Sequence, residues 1–215
     1  MYRLCAAFLA FALLCGCATP IPKSETVPVF PTKPAATTGI AVADHREYIL
    51  NKDKEEWFEG LFRGAFGIPH SLARPGEFSE KPFAFHLATK LKESVEDAGG
   101  KATIVQVPRG TPVEKAIEEI TKAQVDSGLV VMMLQSRYDI GPVNPEYNYN
   151  FELYVLGRDG RVLGRKAFHQ FDQGIPLSDK YTIFDMMSEI YKQKFDSFLA
   201  DPEIKNALAA AAAGS

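Results

Sequence analysis

Beyond position 17 the chain contains no cysteine: its three, Cys5, Cys15 and Cys17, are crowded at the start. That removes disulfide frameworks, thiolate zinc sites, iron–sulfur clusters and cysteine nucleophiles from the remainder. Packing alone must stabilise the body. Basic blocks are missing too. The formal net charge is -3, with acids and bases interspersed, so no positive stripe is offered and nucleic acid is not an expected partner. The apolar run Leu4 to Leu14 is too short for a membrane-spanning helix, which needs about 20 apolar residues. Motifs that carry chemistry are equally sparse. There is no G-x-S-x-G elbow, and none of His45, His70, His86 and His169 falls into an H-E-x-x-H spacing. Gly60, Gly64 and Gly67 do not follow the dinucleotide-binding pattern. No cofactor or metal is therefore expected, and nothing requires catalysis. A hydrolase would need a histidine, a carboxylate and a hydroxyl gathered from distant parts of the chain.

What is present begins at the amino terminus. Tyr2-Arg3 precedes the uncharged run Leu4 to Leu14, and Gly16 stands directly before Cys17 with Leu14 three positions ahead of it. This reads as an export signal, and Leu14-Cys15-Gly16-Cys17 resembles the lipobox of bacterial lipoproteins. The resemblance implies that residues 1–16 are a signal peptide and that Cys17 becomes the lipidated first residue. Cys15 is no rival, because Leu14 before it is too large for the position read by the signal peptidase. A buried methylene contributes about 0.8 kcal/mol, so the three acyl chains typical of such proteins would make the membrane a permanent partner. Ala18 rather than Asp follows the cysteine. By resemblance to lipoprotein sorting in enteric bacteria, this implies the periplasmic face of the outer membrane, with the inner membrane as the alternative.

Residues 17–38 hold Pro20, Pro22, Pro28, Pro31 and Pro34, which suit neither a helix nor a ladder. They are expected to form an extended tether, at about 3.1 Å per residue if polyproline-like. A globular domain is expected over 39–200, followed by a helix and an alanine-rich tail over 201–215. Gly39 to Asp44 has strand character, and strand geometry places Asp44 and His45 on opposite faces, which argues against a catalytic pair. Ser79 and Pro82 open a helix whose apolar stripe runs from Ala84 to Ala98 and ends at Gly99-Gly100. Lys101 to Val107 reads as a strand. Thr111-Pro112-Val113-Glu114 predicts a capping box and a second helix. Leu129 to Leu134, apolar on both faces, suits a central strand. Tyr147 to Val155 alternates, Arg158-Asp159-Gly160 turns, and Val162 to Phe171 returns as a hairpin. Phe184, Met187, Tyr191, Phe195 and Phe198 share one side of a long helix over 182–199. The fold class is α/β (α+β): a single domain with a mixed sheet of about five strands and helices packed on it.

Residues 54–80 are the unusual internal stretch. Trp57, Phe62, Arg63, Phe66, His70 and Arg74 lie in a run punctuated by glycine and proline, read as a long surface loop that engages a partner. The other reading is a loop whose aromatics cover the sheet. The anchor, the proline-bearing segment and the order of elements resemble envelope lipoproteins of the YajG type and, more loosely, outer-membrane activators of penicillin-binding proteins. That resemblance implies a noncatalytic accessory module for an envelope protein, such as a cell-wall synthase or a transport assembly. The alternative is a small-ligand or lipid-binding lipoprotein with a pocket between the late hairpin and the long helix.

Overall fold

The computed structural model describes residues 21–72, 74, 79–141, 144–175 and 182–214. The expected signal peptide and Cys17 lie outside the described residues. Among the described residues, seven strands form one mixed sheet: β1 (Thr37–Asp44), β2 (Gly60–Arg63), β3 (Pro69–Leu72), β4 (Lys101–Ile104), β5 (Ser127–Ile140), β6 (Glu146–Gly157) and β7 (Val162–Gln173). The helices are α1 (Glu47–Leu50), α2 (Phe83–Asp97), α3 (Val113–Lys122), α4 (Ile183–Ala200) and α5 (Pro202–Ala213).

The long strand β5 organises the sheet. One edge pairs in parallel with β1, from Thr38 opposite Ser127 to Asp44 opposite Met133, and farther along with β2, where Gly60 stands opposite Tyr138. The other edge runs antiparallel to β6, which pairs in turn with β7. β4 lies parallel to β1. Because side chains alternate along a strand, the continuous apolar run of β5 serves both faces. Leu129, Val131 and Met133 face the larger core beneath α2, α4 and α5. Val130 and Met132 face the smaller one beneath α3. Beyond the reach of α3, the second face is polar, and Gln135, Arg137, Asp139 and Asn148 line a shallow groove there.

The larger core is dominated by rings. Phe195 and Phe198 of α4 meet Phe151, and Phe198 stacks on Phe168 with centroids 4.3 Å apart. Each such side chain contributes roughly 1.5–3 kcal/mol by burial. These rings fill the space between the late hairpin and α4, the place expected for a ligand pocket. A cavity of about 10 Å³ lies between Tyr138 and Met187. The alternative pocket is therefore corrected: aromatic packing occupies it.

Three local readings also change. The Pro-rich segment is not a free tether over 21–36. Val27 and Ala35 are buried, Val29 N–H donates to Asp196 of α4, and Lys23 pairs with Asp97 at the carboxyl end of α2. Prolines exclude regular structure without excluding docking, and this segment lies against the helices. The capping box does not form either. Pro112 occupies the N-cap of α3 without a side-chain cap, while Thr111 Oγ1 donates to the Pro108 carbonyl. The two strands beyond the expected five are β2 and β3, inside the presumed loop.

Candidate functional site

The segment between α1 and α2 is a hairpin held at its root by buried charge. Arg46, at 0 % exposure, donates from Nε and Nη2 to the two carboxylate oxygens of Asp44 at 2.9 and 2.7 Å. Its Nη1 donates to the Phe58 carbonyl, and its guanidinium lies 5.2 Å from the Phe83 ring centroid. The turn entering β2 is thereby fastened to the end of β1. Asp44 pairs with Arg46 rather than His45, whose Nε2 meets the Thr111 carbonyl at 2.7 Å. Glu59 and Arg74 form a second buried pair, one residue before β2 and two after β3, and Arg74 Nη1 donates to Ser188 Oγ at 2.9 Å. Burial pushes the Glu59 carboxyl above its ordinary pKa, with the Arg74 charge opposing. The same burial raises the Tyr138, Tyr147 and Tyr191 hydroxyls well above theirs. These phenols therefore stay protonated through the neutral range.

From this root β2 and β3 run antiparallel, with Phe62 directly opposite His70. The hairpin stays attached to the sheet because β2 pairs with β5, and Gly60 makes that approach possible. A Cβ at Gly60 would fall 2.3 Å from the Tyr138 carbonyl oxygen. Arg63 secures the outer end. Its Nε and Nη2 donate to Asp139 Oδ1 and Oδ2, both at 2.6 Å, holding that carboxyl below its usual pKa.

At the tip, a 3-10 turn (Ala65–Gly67) places Phe66 at φ 63 and Gly67 at φ 73. Gly64 N–H donates to the Ile68 carbonyl at 3.0 Å and Gly67 N–H to the Gly64 carbonyl at 3.1 Å. Left-handed backbone is natural for Gly67 and costly for a phenylalanine. Phe66 nonetheless sits there 100 % exposed, flanked by exposed Phe62 and Ile68.

Of the six residues predicted as a partner surface, the hairpin gathers four: Phe62, Arg63, Phe66 and His70. Trp57 is half-buried at the root. Arg74 is corrected from surface to interior, because its guanidinium is the counter-charge of Glu59. Sequence reading missed Glu59 and Asp44 as partners of the two buried arginines. An arginine in an apolar neighbourhood does signal a hidden acid, but the acid's identity depends on the tertiary fold. Ile68 was also missed, as a lone apolar residue between glycine and proline.

Among the described residues, no cluster of three or more His, Cys, Asp or Glu side chains could hold a metal ion. No described helix is long and apolar enough to cross a membrane.

No protein-family model and no curated protein matches the chain. Solved structures do resemble it distantly. They include the lipoprotein GNA1162 from Neisseria meningitidis, at 8 % identity over 76 % of this chain and 99 % of that one, with a TM-score of 0.35. The PelC dodecamer from Paraburkholderia phytofirmans matches at 14 % identity, over 81 % and 94 % of the two chains, with a TM-score of 0.39. The LpoB C-terminal domain from Salmonella enterica matches at 12 %, over 69 % and 93 %, with a TM-score of 0.28. Likeness at this level leaves function to the chain's own residues.

Proposed function

We propose that this chain is a lipid-anchored envelope lipoprotein that acts as a noncatalytic binding module, presenting the tip of the β2–β3 hairpin to another envelope protein. The proposal takes Cys17 as the acylated residue and the periplasmic face of the outer membrane as its place. A cell-wall synthase or a transport assembly is the class of partner. The observation that carries the binding role is Phe66, a wholly exposed ring on strained backbone at the end of a hairpin braced by three arginine–carboxylate pairs. Strain of this kind costs on the order of 1–3 kcal/mol and persists where surrounding structure enforces it. Water gives no return for that cost, whereas an apolar cleft on a partner would, since aromatic anchors in desolvated pockets dominate protein interfaces.

The test is a photo-crosslinking residue at position 66, activated in intact cells. A discrete set of envelope proteins should be captured, and the same set should be lost when a crosslinker at exposed position 119 of α3 is used instead. Equal capture from both positions would reject the hairpin as the binding surface. A radiolabelled fatty acid incorporated by the wild type but not by Cys17→Ser would support the anchor, and equal labelling of both would remove it.

A further inference from the structure

Past the end of α3, the second face of β5, β6 and β7 is open to water: Asn148 and His169 are exposed, and Phe171 is 51 % exposed. Register sets the side chains of this face in rungs that cross the three strands. Arg137 stands opposite Asn148 and Asn148 opposite Phe171, while in the next rung Gln135 meets Asn150 and Asn150 meets His169. Rungs on one face recur roughly every 7 Å along the strands, with neighbours roughly 5 Å apart across them. The groove over this platform measures about 160 Å³, with Arg137, Asn148 and Phe171 in its lining.

The composition of the platform departs from what a merely wetted sheet needs. Asparagine is depleted in strands, yet Asn148 and Asn150 take successive positions on one face of the middle strand. Local rules are broken in this way where a site requires it. Among the described residues, no group bonds the side-chain amides of Gln135, Asn148 and Asn150, and no ring packs on Phe171. The charges, by contrast, are already balanced. Arg63 and Arg137 flank Asp139 at 2.6 and 3.7 Å, and Glu146 stands opposite Asp139 on β6, two cations against two carboxylates. An ionic ligand therefore gains little net attraction. A single phenyl ring amid amides and paired charges is also too little apolar area for the core of a protein interface. What the platform offers is amides that donate and accept side by side, next to an aromatic face open for stacking. Those features complement a sugar, whose hydroxyls donate and accept around its rim and whose ring hydrogens make its faces apolar.

We propose that this face binds a neutral β-linked glycan chain, with one ring stacked on Phe171 and neighbouring hydroxyls bonded to Asn148, Asn150 and Gln135. A shallow, open surface suits an extended ribbon of rings rather than a compact ligand. The site is separate from the hairpin tip and does not depend on the partner-binding reading.

The experiment uses the full chain in lipid nanodiscs with four hexasaccharides that share a β-1,4 backbone: those of glucose, N-acetylglucosamine, glucosamine and glucuronic acid. Saturation-transfer NMR, with irradiation of the aromatic protons, reads contact with each sugar, and empty nanodiscs are the control. Both neutral hexamers should receive saturation, and the cationic and anionic ones should bind no more tightly than they do. Phe171→Ala should weaken the neutral hexamers at least about fivefold. The double variant Asn148→Val, Asn150→Val should weaken them at least about tenfold. Its melting temperature should stay level or rise, since valine favours strands, an outcome that a purely structural role for the asparagines would not give. The proposal is overturned if neither neutral hexamer receives saturation at millimolar concentration, or if a charged hexamer binds about tenfold more tightly than both. It is equally overturned if the variants bind the neutral hexamers as the wild type does. Should the double variant fail to fold, Phe171→Ala decides alone.

Discussion

Glu59 and Arg74 face each other at the root of the hairpin, with Arg74 Nε on Glu59 Oε1 and Nη2 on Oε2, and the carboxylate is only 1 % exposed. Removing the cation from such a pair strands a buried charge. Arg74→Met is expected to lower unfolding free energy by about 3–5 kcal/mol at neutral pH. The deficit should shrink toward pH ~5, because an unpaired buried Glu59 takes up a proton in the native state more readily than in the unfolded one. Adding Glu59→Gln should recover part of the loss. Urea denaturation across pH measures this, and a pH-independent deficit would contradict it.

His86 is predicted to work in the opposite direction. It is buried on α2, and burial, helped by the Arg74 charge, holds its imidazole well below the ordinary pKa. The unfolded chain gains a proton there below about pH 6.5 while the native chain does not, so stability falls on acidification by up to ~1.4 kcal/mol per pH unit. Glu59, whose folded pKa is raised, contributes stability that is present in acid and lost as pH rises through that pKa. His86→Leu should therefore flatten the decline between about pH 6.5 and pH 5. Urea midpoints at several pH values give the slope, and an unaltered slope would assign the decline to other groups.

Phe66→Asn separates binding from folding. Asparagine tolerates left-handed backbone better than phenylalanine, and the lost ring is buried against nothing in the monomer. Unfolding free energy should rise by about 0.5–1 kcal/mol, while capture through a crosslinker placed at the exposed neighbouring position 68 disappears. A variant that is less stable would show instead that the exposed ring supports the fold.

Gly60→Ala should do the reverse, damaging the fold first. Its new methyl would collide with backbone at Tyr138 rather than with a side chain that can swing away. β2 must then separate from β5, with an expected loss of at least ~3 kcal/mol, in the severe range for single substitutions. Hydrogen exchange should locate faster opening at residues 60–63, and protection equal to wild type would refute the close approach.

Arg63→Glu tests the outer brace. Because the pair with Asp139 is partly open to water, stability should change by no more than about 1 kcal/mol, yet capture through position 66 should drop sharply as the tip loses its orientation. The exchanged pair Arg63→Asp, Asp139→Arg should restore part of it. Full capture by Arg63→Glu alone would show that the brace has no part in binding.

The elements that could be read from residues alone are those whose pattern answers to a single neighbour. The α4 stripe of Met187, Tyr191, Phe195 and Phe198 is buried as a helical period requires, and the apolar run of β5 is covered on both faces. β2 and β3 were illegible because each is only four residues long, with Gly60 and Pro69 at their starts, and three of the four residues of β3 are exposed. Their existence depends on β5 extending past the end of β1 and offering a free edge, a tertiary fact. Arg74 looked like a surface cation for the same reason, since only the fold brings it to Glu59.

The docking of Lys23 beside Asp97 fixes where the anchor would leave the body. Only the five residues from Ala18 to Pro22 would then separate an acylated cysteine from that attachment point, a reach of roughly 20 Å if fully stretched. The carboxyl end of α2 would ride close to the lipid headgroups. The hairpin lies beyond the other end of that helix, so Phe66 would point into the aqueous space and away from a bilayer reached through such an anchor.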